Sequence, residues 1–127
     1  MRRLTIYVSG PIHGQPEGNK QAFRNAAGVI KRFGHIPMLP HEIPPFQHEG
    51  ECPKGYSYDS GHSSCCWLRG DLLAMLKSAN AIYMLGDWQH SRGAVLEHNV
   101  ATLTGLGLYY EFGLIPFPPA PKDVPSV

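Results

Sequence analysis

The segment SRGAVLEH, residues 91–98, places an acid where a helix is expected to be apolar. Ser91 is a suitable N-cap. At roughly 100° per residue, Glu97 falls within a broad arc of apolar side chains. These side chains are Ala94, Leu96, Val100, Ala101 and Leu103. Because an unpaired buried carboxylate costs several kcal/mol, Glu97 should have a partner or face a cavity. The alternative is a boundary glutamate that pairs with Arg or His. Asp71, a second candidate, could equally be a first-turn helix acid favoured by the macrodipole.

Two short segments have the residue types that bind anions. In YVSGPIHG a predicted strand ends at Gly10 and a second glycine follows at Gly14, so backbone N–H groups could surround a phosphate. An ordinary strand-to-helix turn would have the same residues. Ser91 and Gly93 offer a hydroxyl and N–H groups at a helix N-terminus, although a simple N-cap is the alternative. Neither the dinucleotide pattern nor a P-loop is present.

Five residues of types that bind zinc occur between residues 48 and 66: His48, Cys52, His62, Cys65 and Cys66. Their spacing matches no familiar closed site, and adjacent cysteines are awkward as joint ligands. The favoured interpretation is a set of buried or idle thiols in a loop. We therefore predict no metal site and no cofactor.

Size and composition limit the class of protein. A chain of 127 residues with a net charge of +1 is one domain long and has no basic stripe for nucleic acid. No apolar run approaches the roughly 18 residues of a membrane span. The N-terminal residues 1–11 are interpreted as a strand and turn rather than a signal peptide. We expect a cytoplasmic protein without nucleic-acid or membrane partners, and the odd number of cysteines argues against a disulfide framework.

Short apolar runs alternate with amphipathic segments at helical spacing. The predicted strands are residues 3–10, 35–40, 81–85 and 106–112. The predicted helices are residues 19–34, 65–80 and 91 to about 105. On the second helix the expected core positions are Trp67, Leu68, Leu72, Met75 and Leu76, with Gly70 weakening it. This alternation predicts an α/β sandwich with a mainly parallel sheet.

Ligands of such folds bind at the carboxyl ends of the strands, where three loops meet. These loops are residues 9–16, 40–66 and 86–93. Within the second, Glu42–Ser64 is long and without periodicity. We expect it to cover the site or contact another subunit, with Phe46, Tyr56 and Tyr58 as stacking faces. The folded domain is predicted to span residues 1–114, followed by a Pro-rich tail at 115–127.

Three motifs occur in order along residues 4 to about 112. They are Tyr-x-x-Gly-Pro-Ile-x-Gly, Arg-Gly-Asp-Leu-Leu-x-x-Leu-x-x-Ala-Asn-Ala-Ile and Gly-Asp-Trp-x-x-Ser-Arg-Gly-Ala-x-x-Glu. This set resembles the nucleoside 2-deoxyribosyltransferase superfamily. It looks closest to small, mostly uncharacterised bacterial and bacteriophage members, and is similar to the deoxyribonucleoside 5′-monophosphate N-glycosidases.

The resemblance implies a fold, a reaction and a set of site residues. The fold would be a flavodoxin-like or Rossmann-like three-layer sandwich with four or five strands, and homo-oligomers are common in the family. The reaction would be cleavage of an N-glycosidic bond by hydrolysis or base transfer. Glu97 would be the nucleophile at C1′, Asp71 would handle the base or its proton, and Tyr7 would orient the nucleophile. The implied substrate- and phosphate-binding residues are Gly10, Ile12, His13, Gly14, His41, Ser91 and Gly93.

The chain departs from the family pattern at three places. Asn80 stands where an aspartate is common at the start of the third strand. His13 stands where relatives have an arginine, which would weaken phosphate binding at neutral pH. The loop at 42–66 has no counterpart that would identify the base. A different class of function stays open, since the same pocket could bind or sequester a nucleotide, or a signal derived from one, without turnover. A purely structural phage accessory protein is a third alternative.

Overall fold

The structure is a computed structural model and describes residues 3–55 and 58–112. The described residues form six strands: β1 (Thr5–Ser9), β2 (Ile36–Met38), β3 (Tyr58–Asp59), β4 (His62–Ser63), β5 (Ala81–Met84) and β6 (Gly107–Tyr110). The same part of the chain contains three α-helices: α1 (Lys20–Arg32), α2 (Ser64–Ser78) and α3 (Arg92–Leu103). Every helix in the described part of the chain is too short or too polar to cross a membrane.

Four strands form one parallel sheet in the order β2-β1-β5-β6. The chain leaves β1 toward one edge and then crosses back over it, so the order reverses between β1 and β5. In open α/β sheets this reversal opens a crevice at the carboxyl ends of the two strands. The predicted α/β class and flavodoxin-like architecture are confirmed.

The side chains of β1 alternate between the two faces of the sheet. Ile6 and Val8 pack with α1, whereas Tyr7 packs on the opposite face with residues of α2 and α3. The protein therefore has three layers: α1, the sheet, and α2 with α3. Tyr7 and Ser9 share a face because strand side chains repeat every two residues. This alternation directs both hydroxyl groups toward α3.

Three leucines expected on the apolar arcs lie on the outside. Leu76 is 47% exposed, Leu96 39% and Leu103 86%. The helix α3 instead buries Ala94, Glu97 and Ala101 against the sheet. Small side chains let the helix approach the sheet closely, and that narrow contact leaves the flanking leucines uncovered. Met75 is buried as predicted, and Trp67, Leu68 and Leu72 are partly buried.

The segment predicted as an irregular loop contains a short antiparallel hairpin of β3 and β4. Its two turn residues, Ser60 and Gly61, have φ values of 50° and 80°. A two-residue hairpin loop of this type needs positive φ at both central positions, and glycine adopts it without strain. The predicted tail at 115–127, and Tyr56 within the loop, lie outside the described residues.

Candidate active site

Glu97 is buried at the end of the sheet and is held by two hydroxyl groups from β1. Tyr7 Oη donates to Glu97 Oε2 at 2.7 Å, and Ser9 Oγ donates to Glu97 Oε1 at 2.7 Å. Tyr7 and Ser9 are themselves fully buried. Both oxygens of the carboxylate are thus oriented by side chains of the central strand. The expectation that Glu97 has a partner or faces a cavity is confirmed, and here it does both.

Asp71 lies on α2, in the same layer as Glu97, and is partly buried. Its Oδ1 atom is buried and has no hydrogen-bond partner within the described residues. A buried carboxyl oxygen without a partner is costly unless a ligand or a proton satisfies it. The Oδ1 atom of Asp71 can therefore form a hydrogen bond with a group that enters the cavity.

The ionisation of the two acids is shifted toward neutral pH. Burial raises the pKa of Glu97 from 4.5 to about 7, and the hydrogen bonds from Tyr7 and Ser9 limit that rise. Burial raises the pKa of Asp71 from 3.8 to about 8, and the charge of Glu97 adds to the rise. Burial also raises the pKa of Tyr7 well above its usual range, so its hydroxyl stays protonated. Both acids therefore titrate near neutral pH, and Asp71 keeps its proton to a higher pH than Glu97.

A cavity of about 280 Å³ opens at the carboxyl ends of β1 and β5, and both acids line it. Its wall includes Gly10, Ile12, His13, Lys20, Pro40, His41, Asp59, Ser64, Trp67, Leu68, Asp71, Ser91, Gly93, Ala94 and Glu97. A more open cavity of about 460 Å³ adjoins it and shares His13 and Ser91. Neither Glu97 nor Asp71 lines this second cavity, so we take the smaller one as the site.

Comparison with known families matches residues 4–110 to a family described as Domain of unknown function (DUF4406). The chain belongs to the DUF4406 family. That family is related to nucleoside 2-deoxyribosyltransferase-like proteins. No curated protein matches the chain significantly.

In this DUF4406 domain, the segments predicted to bind an anion meet at one side of the cavity. Gly10, Ile12 and His13 approach from the loop after β1, and Ser91 and Gly93 from the start of α3. Ser91 is also the N-cap of α3, since its Oγ accepts the N–H of Ala94 at 3.2 Å. Its hydroxyl hydrogen can still be donated toward the cavity. Gly14 is not among the described residues that line it.

Two other residues singled out in the sequence have identifiable contacts. His41 lines the cavity and donates a ring N–H to the carbonyl of Gly18 at 2.8 Å, which fastens the 40–42 turn to the loop before α1. Asn80 accepts the N–H of Thr5 through Oδ1 at 2.8 Å. Asn80 thus supports the start of the sheet rather than the cavity.

The loop 42–64 borders the cavity through Asp59 and Ser64. Its predicted stacking faces are placed differently. Phe46 lies under the guanidinium of Arg69, with Cζ 3.7 Å from the ring centroid, and Tyr58 is 63% exposed. Neither is among the described residues that line the cavity. The aromatic residue at the cavity is instead Trp67, whose Nε1 donates to the carbonyl of Asp59 at 3.1 Å.

Several residues at the site were not predicted to belong to it, and Ser9, Lys20, Asp59 and Trp67 are instructive examples. Ser9 could have been found from the strand period, because it follows Tyr7 by two positions. Lys20 is the first residue of α1 and Trp67 lies in the first turn of α2. Both follow loops that were predicted to lie at the site. Asp59 had no local signal, since the two-residue strand β3 that carries it gives no periodicity.

Four of the five cysteine and histidine residues gather at the start of α2. These are His48, Cys52, His62 and Cys66. Cys65 stands apart, and its Sγ donates to the carbonyl of Lys54 at 3.3 Å. None of the four lines the cavity that holds Glu97.

Proposed function

We propose that this protein cleaves the N-glycosidic bond of a nucleoside or nucleotide, preferably a 5′-monophosphate, with Glu97 as the nucleophile. The observation that carries the proposal is the buried carboxylate of Glu97, oriented by two hydroxyl groups and paired with a second acid of higher pKa. Pairs of acids whose environments separate their protonation states are typical of glycoside cleavage. The relation of the family to nucleoside 2-deoxyribosyltransferase-like proteins supports the same chemistry.

The reaction has two steps. As the bond between C1′ and the base nitrogen breaks, an oxocarbenium-like centre forms, and the Glu97 carboxylate attacks C1′ to give a glycosyl ester. Asp71 donates its proton to the departing base. Water or a second base then attacks C1′ and releases the Glu97 carboxylate, while Asp71 accepts the proton of the incoming group. Water completes hydrolysis, and a second base completes transfer.

Tyr7 and Ser9 act on Glu97 rather than on the substrate. Their hydroxyl groups fix the carboxylate and favour its ionised form, as the hydrogen bonds limit the rise of its pKa. Because both donors belong to the rigid central strand, the nucleophile does not have to be ordered when substrate binds. The two hydroxyl groups are therefore positioning groups.

A 5′-phosphate is accommodated on the side of the cavity that adjoins the larger cavity. Backbone N–H groups after β1, the Ser91 hydroxyl and the N-terminus of α3 are suitable donors for its oxygens. His13 and Ser91 line both cavities, and His90 and Arg92 line the outer one. The outer cavity thus places the guanidinium of Arg92 on the phosphate side of the site, together with the carboxyl group of Asp87.

Release of free base from a panel of nucleosides and 5′-monophosphates, followed by chromatography, tests the proposal. We expect turnover by the native protein and a loss of at least about a thousandfold in Glu97→Gln, which keeps the size of the side chain. Glu42→Gln, a change at an exposed acid outside the cavity, is the matched control and should keep full activity. Binding of nucleotides without base release from any of them would overturn the enzyme in favour of sequestration.

Preference for the phosphate is measured by calorimetry with Glu97→Gln, which prevents turnover. One charge-assisted contact is worth about 1.5–3 kcal/mol, so the monophosphate should bind roughly tenfold to a hundredfold more tightly than its nucleoside. Equal affinity for the two ligands would remove the phosphate from the proposal and leave the nucleoside.

A further inference from the structure

Two histidines and two cysteines converge on one point beside the first turn of α2. His48 and Cys52 come from the loop after β2, His62 from β4 and Cys66 from α2. One nitrogen or sulfur atom of each lies within 4.8 Å of all the others. Cys66 is buried and the other three are partly buried. Side chains from four places in the loop and helix thus direct their ligand atoms inward.

The distances match the edges of a tetrahedron around a zinc ion. With usual Zn–S and Zn–N bond lengths, two sulfur ligands stand about 3.8 Å apart and a sulfur and a nitrogen about 3.5 Å apart. Here the Sγ atoms of Cys52 and Cys66 are 3.6 Å apart. Of the four sulfur-to-nitrogen pairs, His48 to Cys66 is 3.1 Å, His48 to Cys52 is 3.5 Å and His62 to Cys52 is 3.8 Å, and His62 to Cys66 lies within 4.8 Å.

The surroundings of the cluster are those of a supported metal site. His48 donates Nδ1–H to the carbonyl of Glu49 at 3.2 Å, so its Nε2 lone pair points at the sulfur atoms. A second hydrogen bond of this kind commonly fixes the tautomer of a histidine that binds a metal. Ser63 Oγ lies 3.8 Å from Cys66 Sγ and can donate to it. The ring of Trp67 meets that of His62 edge to face, with centroids 6.3 Å apart.

We propose that His48, Cys52, His62 and Cys66 bind one zinc ion in a closed tetrahedral site. Two thiolates and two imidazoles are the donor set of structural zinc sites, whereas magnesium and calcium prefer oxygen. Binding displaces the two thiol protons to solvent, and the histidines bind as neutral rings. Since four protein ligands leave no open position, the ion has a structural role.

The zinc site ties the loop to α2 ahead of Asp71. Between His48 and the start of α2 the described chain forms only two two-residue strands, which are too short to be stable alone. The same segment supplies Asp59 and Ser64 to the cavity wall. The metal therefore fixes one wall of the candidate active site without taking part in it.

The proposal departs from the expectation of idle thiols. The four residues form two pairs with the same separation, His48 with Cys52 and His62 with Cys66. That repeated spacing could have indicated a metal site. The adjacent cysteines Cys65 and Cys66 argued against one, because only the fold shows that Cys65 Sγ points away toward Lys54.

Metal analysis of the full chain, purified with a reductant and without a polyhistidine tag, is the direct test. We expect about one zinc ion per chain by mass spectrometry. After exchange with cobalt(II), the protein should show thiolate-to-metal charge transfer and the intense visible bands of tetrahedral coordination. Both readouts are independent of activity on any nucleotide, so failure of the glycosidase proposal would leave this one standing, and the reverse.

Substitutions assign the ligands. Cys52→Ser and His48→Asn change loop residues outside the sheet core and should lose stoichiometric zinc, with circular dichroism reporting whether the helices remain. Cys65→Ser is the matched control, adjacent in sequence to Cys66 but outside the cluster, and should retain the ion. A chelator should lower the Tm of the native protein and of Cys65→Ser, and should leave Cys52→Ser unchanged.

Three results would overturn the proposal. The first is native protein that contains no zinc and gives no tetrahedral cobalt spectrum. The second is equal metal content in Cys52→Ser and Cys65→Ser. The third is a Cys52–Cys66 disulfide, found by mass spectrometry in protein kept under reductant, in place of a bound ion.

Discussion

At the scale of single residues, the environment of Glu97 decides how the site works. Its carboxylate is held by hydroxyl groups of Tyr7 and Ser9, which stabilise a negative charge less than a guanidinium does. The pKa of Glu97 therefore stays raised, at about 7. A nucleophile that ionises near neutral pH beside an acid that keeps its proton to about 8 should give a narrow, bell-shaped pH dependence.

Tyr7→Phe removes one donor to Glu97 and keeps the ring. Because the Tyr7 hydroxyl lowers the pKa of both Glu97 and Asp71, its loss should move both limbs of the pH–rate profile to higher pH. We expect activity at pH 7 to fall about tenfold to a hundredfold and to recover in part at higher pH. Base release measured from pH 5 to 9 reports both effects.

Ser9→Ala should move only the acidic limb to higher pH, since Ser9 donates to the other oxygen of Glu97. Tyr83→Phe is the matched control, because Tyr83 is a buried tyrosine on the α1 face of the sheet. A Tyr7→Phe variant whose pH–rate profile keeps its position on the pH axis and only has a lower maximal rate would contradict the positioning role.

The sequence identified Glu97 more readily than the residues that surround it. The helical period located Glu97 on the inward face, and family resemblance pointed to Asp71 and Tyr7. Ser9 was missed because serine at the end of a strand has several ordinary explanations. The raised pKa of Asp71 depends on burial and on the charge of Glu97, and neither can be read before α2 and α3 are assembled on one face.

At the scale of elements, α2 contacts the loop after β2 through a glycine. A Cβ on Gly70 would lie 2.3 Å from the carbonyl oxygen of Pro44 and 3.2 Å from the N of Phe46. Phe46 N–H donates to the carbonyl of Cys66 at 2.8 Å. The residue that weakens the helix by propensity thus permits the loop backbone to lie against it.

Gly70→Ala should destabilise the protein, because the new methyl group meets backbone that cannot rotate away. We expect a loss of about 1–3 kcal/mol in the free energy of unfolding by urea. Gly28→Ala is the matched control in the interior of α1, where a Cβ meets nothing within 4 Å. It should stabilise the protein by about 0.4–1 kcal/mol. Equal effects of the two substitutions would refute the contact argument.

The strands of the four-stranded sheet and the three α-helices were predictable. Each lies within or close to its predicted segment, because a short apolar run indicates a buried strand and apolar side chains at a period of 3.6 indicate an amphipathic helix. The hairpin of β3 and β4 was missed since two-residue strands carry no period. The outward leucines of α2 and α3 were misjudged because a helical wheel cannot show how much of an apolar arc the sheet covers.

At the scale of the whole molecule, burial of Glu97 makes stability depend on pH. Its pKa is higher in the folded protein than the ordinary value of 4.5, so the stabilising effect of its protonated form is lost as pH rises through about 7. A rise from 4.5 to about 7 corresponds to on the order of 3 kcal/mol. The raised pKa of Asp71 acts in the same direction up to about 8.

Glu97→Gln should therefore gain stability relative to the native protein as the medium becomes alkaline. Between pH 5 and pH 9 we expect the difference in unfolding free energy to move in favour of the variant by on the order of 3 kcal/mol. Urea titrations at both pH values measure it, with Glu42→Gln as the exposed control. Parallel pH dependence in the variant and the native protein would show that Glu97 ionises normally.

The outer faces of α2 and α3 carry leucines that are exposed in a single chain. They are Leu73, Leu76, Leu96 and Leu103. Because the two helices are neighbours and exposed apolar patches mark contact surfaces, we expect a homo-oligomer that covers them. Light scattering should report a mass of more than one chain per particle. The double variant Leu73→Ser, Leu76→Ser should have a lower particle mass. A monomeric native protein would contradict this.

The alternating side chains of β1 serve both the hydrophobic core and the candidate active site. Ile6 and Val8 face one layer, whereas Tyr7 and Ser9 face the other. Deleting or inserting one residue in this strand would exchange the two sets, turning aliphatic side chains toward Glu97 and hydroxyl groups into the layer under α1. Change in this strand is therefore confined to replacement in place. A homologue that keeps the sheet therefore keeps the positions of Tyr7 and Ser9 beside Glu97, and it can lose their hydroxyl groups only by substitution.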